Sequence, residues 1–334
     1  MKQFRMSYPT SVEQTLRVLA ATPPAGDVRV IAGGQDLLGE MKDHLAEPDH
    51  LVNLARVEAL RGLRWAASGE LEIGAMTTLA AIAGDAGVRA SLPLLAEAVE
   101  SVATPQIRQQ GTIGGNLCQR PRCWYYRHEK APCFKKGGSE CFAFTGMSKY
   151  NAILGGGPSY IVHPSDVAPA LVASDATLTL RGPGDGAAAV RTLPVQEFFT
   201  LPFEADVTKE NVLRPGEIVT AIGVPDRRGW RGTYLEVRER QSFDFALAAV
   251  ALALRMEGER IAAARLVLGG VAPVPWRCAA AEALLAGRRV DDETCRLAGE
   301  EALRGAAPLD HNAYKVPMTK GLITKALRQL ARLE

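Results

Sequence analysis

The chain has 334 residues, 47% hydrophobic residues and a formal net charge of +2, a composition typical of a globular protein with two or three domains. So small a net charge argues against a dedicated nucleic-acid-binding protein, because neutralising phosphates requires a strong surplus of basic residues. The sequence has no run of about 18 apolar residues and no apolar signal-peptide core near its start. We therefore expect neither a membrane span nor a signal peptide.

The N-terminal segment has the pattern of a βαβ unit. A short strand precedes a helix at about Ser11–Thr22, whose first residues nearly form a capping box. An apolar strand follows at 28–32 and ends in Gly33-Gly34, and another strand is predicted at 51–54.

Short strands and helices alternate through the middle of the chain. Residues 71–75 alternate as a strand should, Thr78 is suited to cap a helix, and an amphipathic helix is predicted at about 93–102. The glycine-rich stretch 104–117 is predicted to be loop and turn. Residues 118–141 have neither helical nor strand periodicity and predict an irregular loop.

The remaining elements continue this mixture. Strands are predicted at 152–154, 159–162, 177–180 and 218–224, and a helix at about 164–174. Residues 227–232 are a plausible domain boundary, and 245–255 and 261–269 form either two strands or a helix and a strand. The tail from about 291 to 333 is predicted to be mainly helical.

Two glycine-rich loops are candidates for binding phosphate groups. The first, 33–36, directly follows an apolar strand, and the second spans 111–116. Glycine lets the backbone approach a phosphate closely, and successive N–H groups form anion-binding concavities, so the two loops together could clamp a pyrophosphate. Each loop taken singly could equally be a tight turn. Neither fits the G-x-G-x-x-G pattern, which disfavours a nicotinamide-type Rossmann site.

Four of the six cysteines lie close together in the sequence, at Cys118, Cys123, Cys133 and Cys141. Such clustering in a long chain indicates metal or redox chemistry rather than disulfides. Four thiolates suit one cubane iron–sulfur cluster or an all-cysteine zinc site; incidental cysteines in a basic solvated loop are the third alternative. Basic neighbours would offset the negative charge of a thiolate-ligated cluster and favour it. They are Arg120, Arg122, Arg127, Lys130, Lys135 and Lys136.

A set of motifs resembles the flavoprotein subunits of the xanthine dehydrogenase and carbon monoxide dehydrogenase family, the FAD-binding subunits of molybdenum hydroxylases. They occur in the expected order and cover essentially the whole chain: 31–37, 106–117, 163–166, 234–251 and 268–273. The cysteine loop resembles an insertion that carries a [4Fe-4S] cluster in the flavin subunit of periplasmic aldehyde oxidoreductases. A related inserted cluster occurs in the flavin subunit of 4-hydroxybenzoyl-CoA reductase.

The resemblance implies an α+β fold. An FAD-binding module of the PCMH type would occupy residues 1–230, with two αβ subdomains at about 1–58 and 59–230 and the iron–sulfur loop at 118–141. Residues 231–334 would form a C-terminal domain with an antiparallel sheet and helices, as in the carbon monoxide dehydrogenase flavoprotein.

The resemblance also implies the cofactor-binding residues. The FAD diphosphate and ribityl chain would be bound by Ala32, Gly33, Gly34, Gln35, Asp36, Leu37, Thr112, Gly114, Gly115 and Asn116. Asp166 would accept a ribityl or ribose hydrogen bond, or else cap a helix. Arg240 would lie near the isoalloxazine ring, or else form a surface ion pair. The four cluster ligands would be Cys118, Cys123, Cys133 and Cys141.

Position 36 departs from the family pattern, which often has serine or threonine there. A carboxylate near a pyrophosphate is repulsive unless it points away or caps the next helix.

The sequence also lacks a nucleophile or acid–base arrangement such as Ser-His-Asp or H-E-x-x-H. That absence fits a subunit that binds cofactors while substrate chemistry takes place elsewhere.

The implied role is electron transfer. Electrons would pass from a molybdenum cofactor in a large partner subunit, through two [2Fe-2S] clusters in a small partner subunit, to FAD here and then to an external acceptor. The complex would be a heterotrimer, or a dimer of heterotrimers, and would oxidise aldehydes or aromatic heterocycles. It would be cytoplasmic, or periplasmic if it is exported together with a partner that carries a signal peptide. The alternatives are a 4-hydroxybenzoyl-CoA reductase-type or xanthine dehydrogenase complex, a stand-alone FAD oxidase and a zinc-stabilised binding module.

Overall fold

The computed structural model describes residues 1–21, 27–184 and 189–331. Its strands are β1 (Arg5–Ser7), β2 (Val28–Ile31), β3 (His50–Asn53), β4 (Leu63–Trp65), β5 (Leu71–Gly74), β6 (Thr177–Arg181), β7 (Val190–Pro194), β8 (Ile218–Val224), β9 (Trp230–Val237), β10 (Ala248–Glu257), β11 (Arg260–Gly269) and β12 (Trp276–Arg277).

The helices complete the mixed α and β architecture. They are α1 (Val12–Ala20), α2 (Leu37–Lys42), α3 (Leu79–Gly84), α4 (Ala86–Ser91), α5 (Pro93–Ser101), α6 (Pro105–Gln110), α7 (Ile113–Leu117), α8 (Trp124–Arg127), α9 (Val167–Ala173), α10 (Ala279–Leu285), α11 (Asp292–Ala302) and α12 (Lys315–Ala331). Among the described residues, none of these helices is long and apolar enough to cross a membrane.

The N-terminal βαβ prediction is confirmed. Strands β1 and β2 both pair in parallel with β3, giving the order β1-β3-β2. Ser11 caps α1, because its side chain accepts a hydrogen bond from the Gln14 N–H at 3.1 Å. The predicted helix end at Thr22 lies outside the described residues.

A five-stranded sheet of order β4-β5-β8-β6-β7 forms the next layer. All of its pairings are antiparallel. Helices α3 to α9 lie between β5 and β6 in the chain. Both the second glycine loop and the cysteine loop therefore belong to a single long connection of this sheet.

The third sheet has the order β12-β11-β10-β9 and is antiparallel throughout. Strand β10 is buried on both faces: Ala249 and Ala251 pack with residues of α5 and α9, whereas Val250 and Leu252 pack with residues of α10 to α12. Because β10 is buried on both faces, its sequence is a continuous apolar run without strand or helix periodicity. For this reason the sequence did not decide between a strand and a helix at 245–255.

Two predictions of local structure are wrong. Residues 104–117 form α6 and α7 rather than a loop, because Thr104 and Thr112 cap the two helices and Pro105 stands in the first turn of α6. The strands predicted at 152–154 and 159–162 do not form. The N–H groups of Ile153 and Leu154 both donate to the single carbonyl of Val271, which satisfies the backbone without a ladder.

Candidate functional site

The two glycine loops lie directly against each other. A Cβ atom on Gly33 would stand 2.0 Å from the carbonyl oxygen of Gln110, immediately before the second loop. On the second loop, a Cβ atom on Gly115 would stand 3.8 Å from the Cβ of Ala32. Glycine at position 33 is therefore required by the close approach of two backbones.

The first loop changes direction at Gly34, whose φ of 72° lies in the left-handed region that glycine adopts without strain. Strand β2 ends just before the loop and α2 begins just after it. The Leu38 N–H donates to the Gly34 carbonyl at 3.2 Å, which fixes the loop to the first turn of that helix.

The second loop is anchored on its own side of the molecule. The Gly115 N–H donates to the Thr112 hydroxyl at 3.2 Å, which caps α7. The Gly114 N–H donates to the Ala75 carbonyl at 2.9 Å, and the Ile113 N–H donates to the Thr77 carbonyl at 3.0 Å. These bonds hold the loop against the end of β5.

A cavity of about 540 Å³ opens between the two loops. It is lined by every predicted cofactor-binding residue except Arg240: Ala32, Gly33, Gly34, Gln35, Asp36, Leu37, Thr112, Gly114, Gly115, Asn116 and Asp166. Arg240 does not line it; its guanidinium forms an exposed ion pair with Asp244, at 2.7 and 3.0 Å, and Asp244 lines the cavity. The fold thus brings together residues that are far apart in the sequence.

Asp36 lines the cavity, but its carboxylate is bound to the cysteine loop. Oδ1 lies 2.5 Å from Nη1 of Arg122 and 2.7 Å from Nη2 of Arg127, and Oδ2 accepts the Arg120 N–H at 2.6 Å. Burial alone would raise the pKa of the Asp36 carboxyl, but the two guanidiniums outweigh it and hold that pKa below its ordinary value. Asp36 makes no side-chain cap bond to α2. Because the two guanidiniums neutralise the Asp36 carboxylate, that carboxylate would not repel a diphosphate in the cavity.

Asp166 stands at the start of α9 without capping it by its side chain. The helix N–H of Ala168 instead donates to the Ser165 hydroxyl at 2.9 Å, and that hydroxyl donates to Oδ1 of Asn116 at 2.5 Å. Oδ1 of Asp166 accepts a hydrogen bond from the Tyr234 hydroxyl at 3.1 Å. Burial raises the pKa of the Asp166 carboxyl above its ordinary value. Ser165 was not predicted as a site residue, although it orients one that was.

One wall of the cavity has an unusual backbone. Ala103 has a φ of 46° and Phe243 a φ of 73°, a region that side chains other than glycine rarely adopt. The Phe243 N–H donates to the Ala103 carbonyl at 3.2 Å, and both residues line the cavity with Phe245. Strained positions of this kind concentrate at binding sites. Sequence reasoning missed this wall; its only signal is a pair of phenylalanines in the polar segment 240–245.

The four clustered cysteines lie beside the cavity. Cys118 follows α7 and lines the cavity, whereas Cys123 lines a smaller neighbouring cavity of about 300 Å³. Cys141 lies close enough to Cys123 and Cys133 to disfavour their ionised forms. Burial raises the pKa of the Cys118 thiol to about 12. Within the described residues, no group of three or more His, Cys, Asp or Glu side chains is arranged to hold a metal ion.

The two distant cysteines have a different environment. Cys278 and Cys295 are both buried in the core between the third sheet and helices α10 to α12. They act as small apolar core residues, as the sequence predicted.

Comparison with known proteins agrees with this geometry. Residues 2–227 match the family described as the FAD binding domain in molybdopterin dehydrogenase, and residues 233–330 match the CO dehydrogenase flavoprotein C-terminal domain. The chain is 32% identical over 306 residues to the aldehyde oxidoreductase FAD-binding subunit PaoB of Escherichia coli K12, covering 90% of this chain and 91% of that protein. It is 28% identical to the carbon monoxide dehydrogenase medium chain of Hydrogenophaga pseudoflava, covering 97% and 96%.

A solved structure leads to the same family. The carbon monoxide dehydrogenase of Hydrogenophaga pseudoflava that lacks the Mo-pyranopterin moiety superposes with a TM-score of 0.78 at 28% identity, over 99% of both chains. The matched domains together account for nearly the whole chain. This chain therefore belongs to the FAD-binding subunits of the molybdenum hydroxylase family and is an oxidoreductase component.

Proposed function

We propose that this chain is the electron-relay subunit of an aldehyde-oxidising molybdenum hydroxylase, with FAD bound between the two glycine loops. Electrons would reach it from [2Fe-2S] clusters of a small partner subunit and would originate at a molybdenum cofactor in a large partner subunit. The observation that carries the proposal is the single cavity lined by both glycine loops and Asp166. The aldehyde class is favoured because the 32% identical relative is named as an aldehyde oxidoreductase subunit.

The cavity suits FAD in size and in the chemistry of its lining. Its volume of about 540 Å³ lies within the range of about 300–1,000 Å³ usual for cofactor pockets. Gly34 has a φ of 72°, and turns that contain such a residue can form anion-binding concavities of the kind that would suit a diphosphate. Leu54, Met76 and Ile107 supply apolar walls for flat ring systems.

The residues of this chain would hold the cofactor and tune it. FAD supplies the redox chemistry that amino-acid side chains lack. Asn116, held in place by Ser165, and Asp166, held by Tyr234, present oriented polar groups to the cavity. Oδ1 of Asp166 already accepts the Tyr234 hydroxyl, and the carboxyl would offer further acceptor positions to hydroxyl groups such as those of a ribityl chain.

We further propose that the cysteine loop carries one [4Fe-4S] cluster. The donor set supports this, because four thiols are the ligands that such a cluster requires. Cys141 lies near enough to Cys123 and Cys133 to raise the pKa of their thiols. The described residues do not bring three thiols together around one metal position, so the proposal depends on the donor set and on the resemblance of the cysteine loop. Arg122 and Arg127 are paired with Asp36 and Arg120 with Glu210. Lys136, whose charge favours the ionised form of Cys133, would offset part of the negative charge of the ligated cluster.

The electron-relay proposal is tested by anaerobic addition of an aldehyde to the complex purified with its partner subunits. We expect the visible absorption of the flavin to bleach in the complex and to stay unchanged in the isolated chain. Bleaching by xanthine but not by aldehydes would change the substrate class. Turnover by the isolated chain would identify a stand-alone oxidase and overturn the relay role.

The cluster is tested by replacing cysteines one at a time. We expect Cys141→Ala to lose most of its iron, because the substitution removes one of the four thiolates proposed to hold the cluster. Cys295→Ala is the matched control, since Cys295 is buried in the C-terminal core away from the loop, and it should keep the wild-type iron content. Equal iron content in the two variants would refute the ligand assignment. Zinc in place of iron would support a zinc-stabilised loop instead.

A further inference from the structure

Asp36 belongs to two structural units at once. Its backbone forms part of the first glycine loop, whereas its carboxylate is bonded, among the described residues, to the segment 120–127 of the cysteine loop. The side chain of Asp36 is 18% exposed and those of Arg122 and Arg127 are 28% and 15% exposed. Ion pairs shielded to this degree are screened much less by solvent than surface pairs.

Helix α2 adds a second connection one turn later. The Tyr126 hydroxyl donates to Oε1 of Glu40, and Nε of Arg120 donates to the same hydroxyl at 3.0 Å. The side chain of Glu40 is only 8% exposed. Two carboxylates at the start of one short helix are therefore bonded to the segment between Cys118 and Cys133.

The far side of the cysteine loop is fixed to the same network. Nη1 of Arg120 lies 3.1 Å from Oε2 of Glu210, and Nζ of Lys135 lies 2.6 Å from Oε1 of that residue. The side chains of Lys135 and Glu210 are 2% and 4% exposed. Breaking a buried pair by removing one partner is strongly destabilising, because it leaves the other charge without compensation.

We propose that Asp36 is a positioning residue that couples the occupancy of the FAD cavity to the order of the cysteine loop. This inference rests on the FAD site proposed above. Asp36 keeps its bonds to Arg122 and Arg127 only while the glycine loop and the cysteine loop hold one relative position. A ligand that fixes the first loop therefore stabilises the second. Such coupling is reciprocal, so an ordered cysteine loop raises the affinity for FAD by the same factor.

The experiment is hydrogen–deuterium exchange of the full chain, with and without saturating FAD, read on peptides that cover residues 118–141. In the wild type we expect FAD to slow exchange in these peptides about tenfold, within the range of about 5- to 150-fold that is usual for coupled sites. In Asp36→Asn, which preserves the shape of the side chain but removes its charge, saturating FAD should slow their exchange much less than in the wild type, because the ion pairs with Arg122 and Arg127 are lost while the Glu40–Tyr126 contact still joins α2 to the loop. Glu72→Gln is the control, because Glu72 pairs with Arg64 on the exposed face of β5.

A second variant approaches the contact from the other loop. Arg127→Gln leaves every residue that lines the cavity unchanged. It should weaken the effect of FAD on the loop, because Asp36 loses one of its two ion pairs with the loop. An equal effect of FAD in the wild type and both variants would overturn the coupling, as would FAD binding to the wild type with no effect on 118–141. If the wild type binds no FAD, the FAD site itself is refuted, and the coupling with it.

Discussion

Replacing Gly33 by alanine tests the contact on which the cavity depends. The added Cβ would stand 2.0 Å from the Gln110 carbonyl oxygen and 2.8 Å from its carbon. Both of those atoms are backbone, so no side-chain rotation relieves the clash. One loop must move away from the other, and the gap between them is the place where the diphosphate is proposed to bind.

The size of the effect follows from these distances. Real Cβ atoms essentially never approach another heavy atom below 3.0 Å, so the loops must separate by about 1 Å. Overpacking of a close contact costs about 1–3 kcal/mol. If that cost falls on the FAD-bound arrangement, Kd rises roughly 5- to 150-fold.

The assay is a titration of the apoprotein with FAD, followed by flavin fluorescence. Gly39→Ala is the matched control, because Gly39 lies in α2 and, apart from its own helix backbone and chain neighbours, no described heavy atom lies within 4 Å of its Cβ position. Alanine is the better helix former by about 1 kcal/mol, so this variant should bind FAD as the wild type does and be no less stable. Unchanged FAD affinity in Gly33→Ala would refute the argument that the two loops form one site.

Three further outcomes are expected. Ser165→Ala should weaken FAD binding several-fold without unfolding the chain, because it releases the side chain of Asn116, and FAD titration together with thermal unfolding measures both. Phe198→Ala should lower the free energy of unfolding by about 3–5 kcal/mol, because Phe198 is fully buried; the control Phe203→Ala, at a side chain 61% exposed, should have little effect. Burial lowers the pKa of Lys315 from 10.5 to about 7. Between these pH values the Lys315 side chain is protonated in the unfolded chain but not in the folded one. The wild type should therefore gain stability relative to Lys315→Met as the pH rises from 7 to 10. A melting-temperature difference that is constant with pH would contradict that assignment.

Local signals in the sequence predicted much of the fold. Ser11 caps α1 as its sequence position indicated, and the strand at 71–75 and the C-terminal helices were correctly predicted. The wrong strand predictions concern segments whose backbone hydrogen-bond partners are distant in the sequence. The apolar segment 152–154 resembles a strand, but its backbone bonds go to Val271 and Tyr160 rather than to a neighbouring strand.

In the candidate site, too, features with a local sequence signal were predicted and features that depend on distant partners were not. The glycine loops could be recognised in the sequence because a backbone that passes close to another group requires glycine at that position. The signal is therefore local. The direction of the Asp36 carboxylate could not be recognised, because its partners Arg122 and Arg127 are 86 and 91 residues away. The wall at Ala103 and Phe243 was equally hidden, since a positive φ outside glycine depends on tertiary contacts rather than on local sequence.

The most direct test of the central claim is an anaerobic visible and EPR spectrum of the purified chain, with flavin, iron, acid-labile sulfide and zinc counted per chain. The proposed cofactors predict flavin bands, one flavin, and about four irons and four sulfides. Flavin without iron, in protein kept free of oxygen throughout, would contradict the cluster but leave the FAD site standing. Zinc without flavin would contradict the whole account.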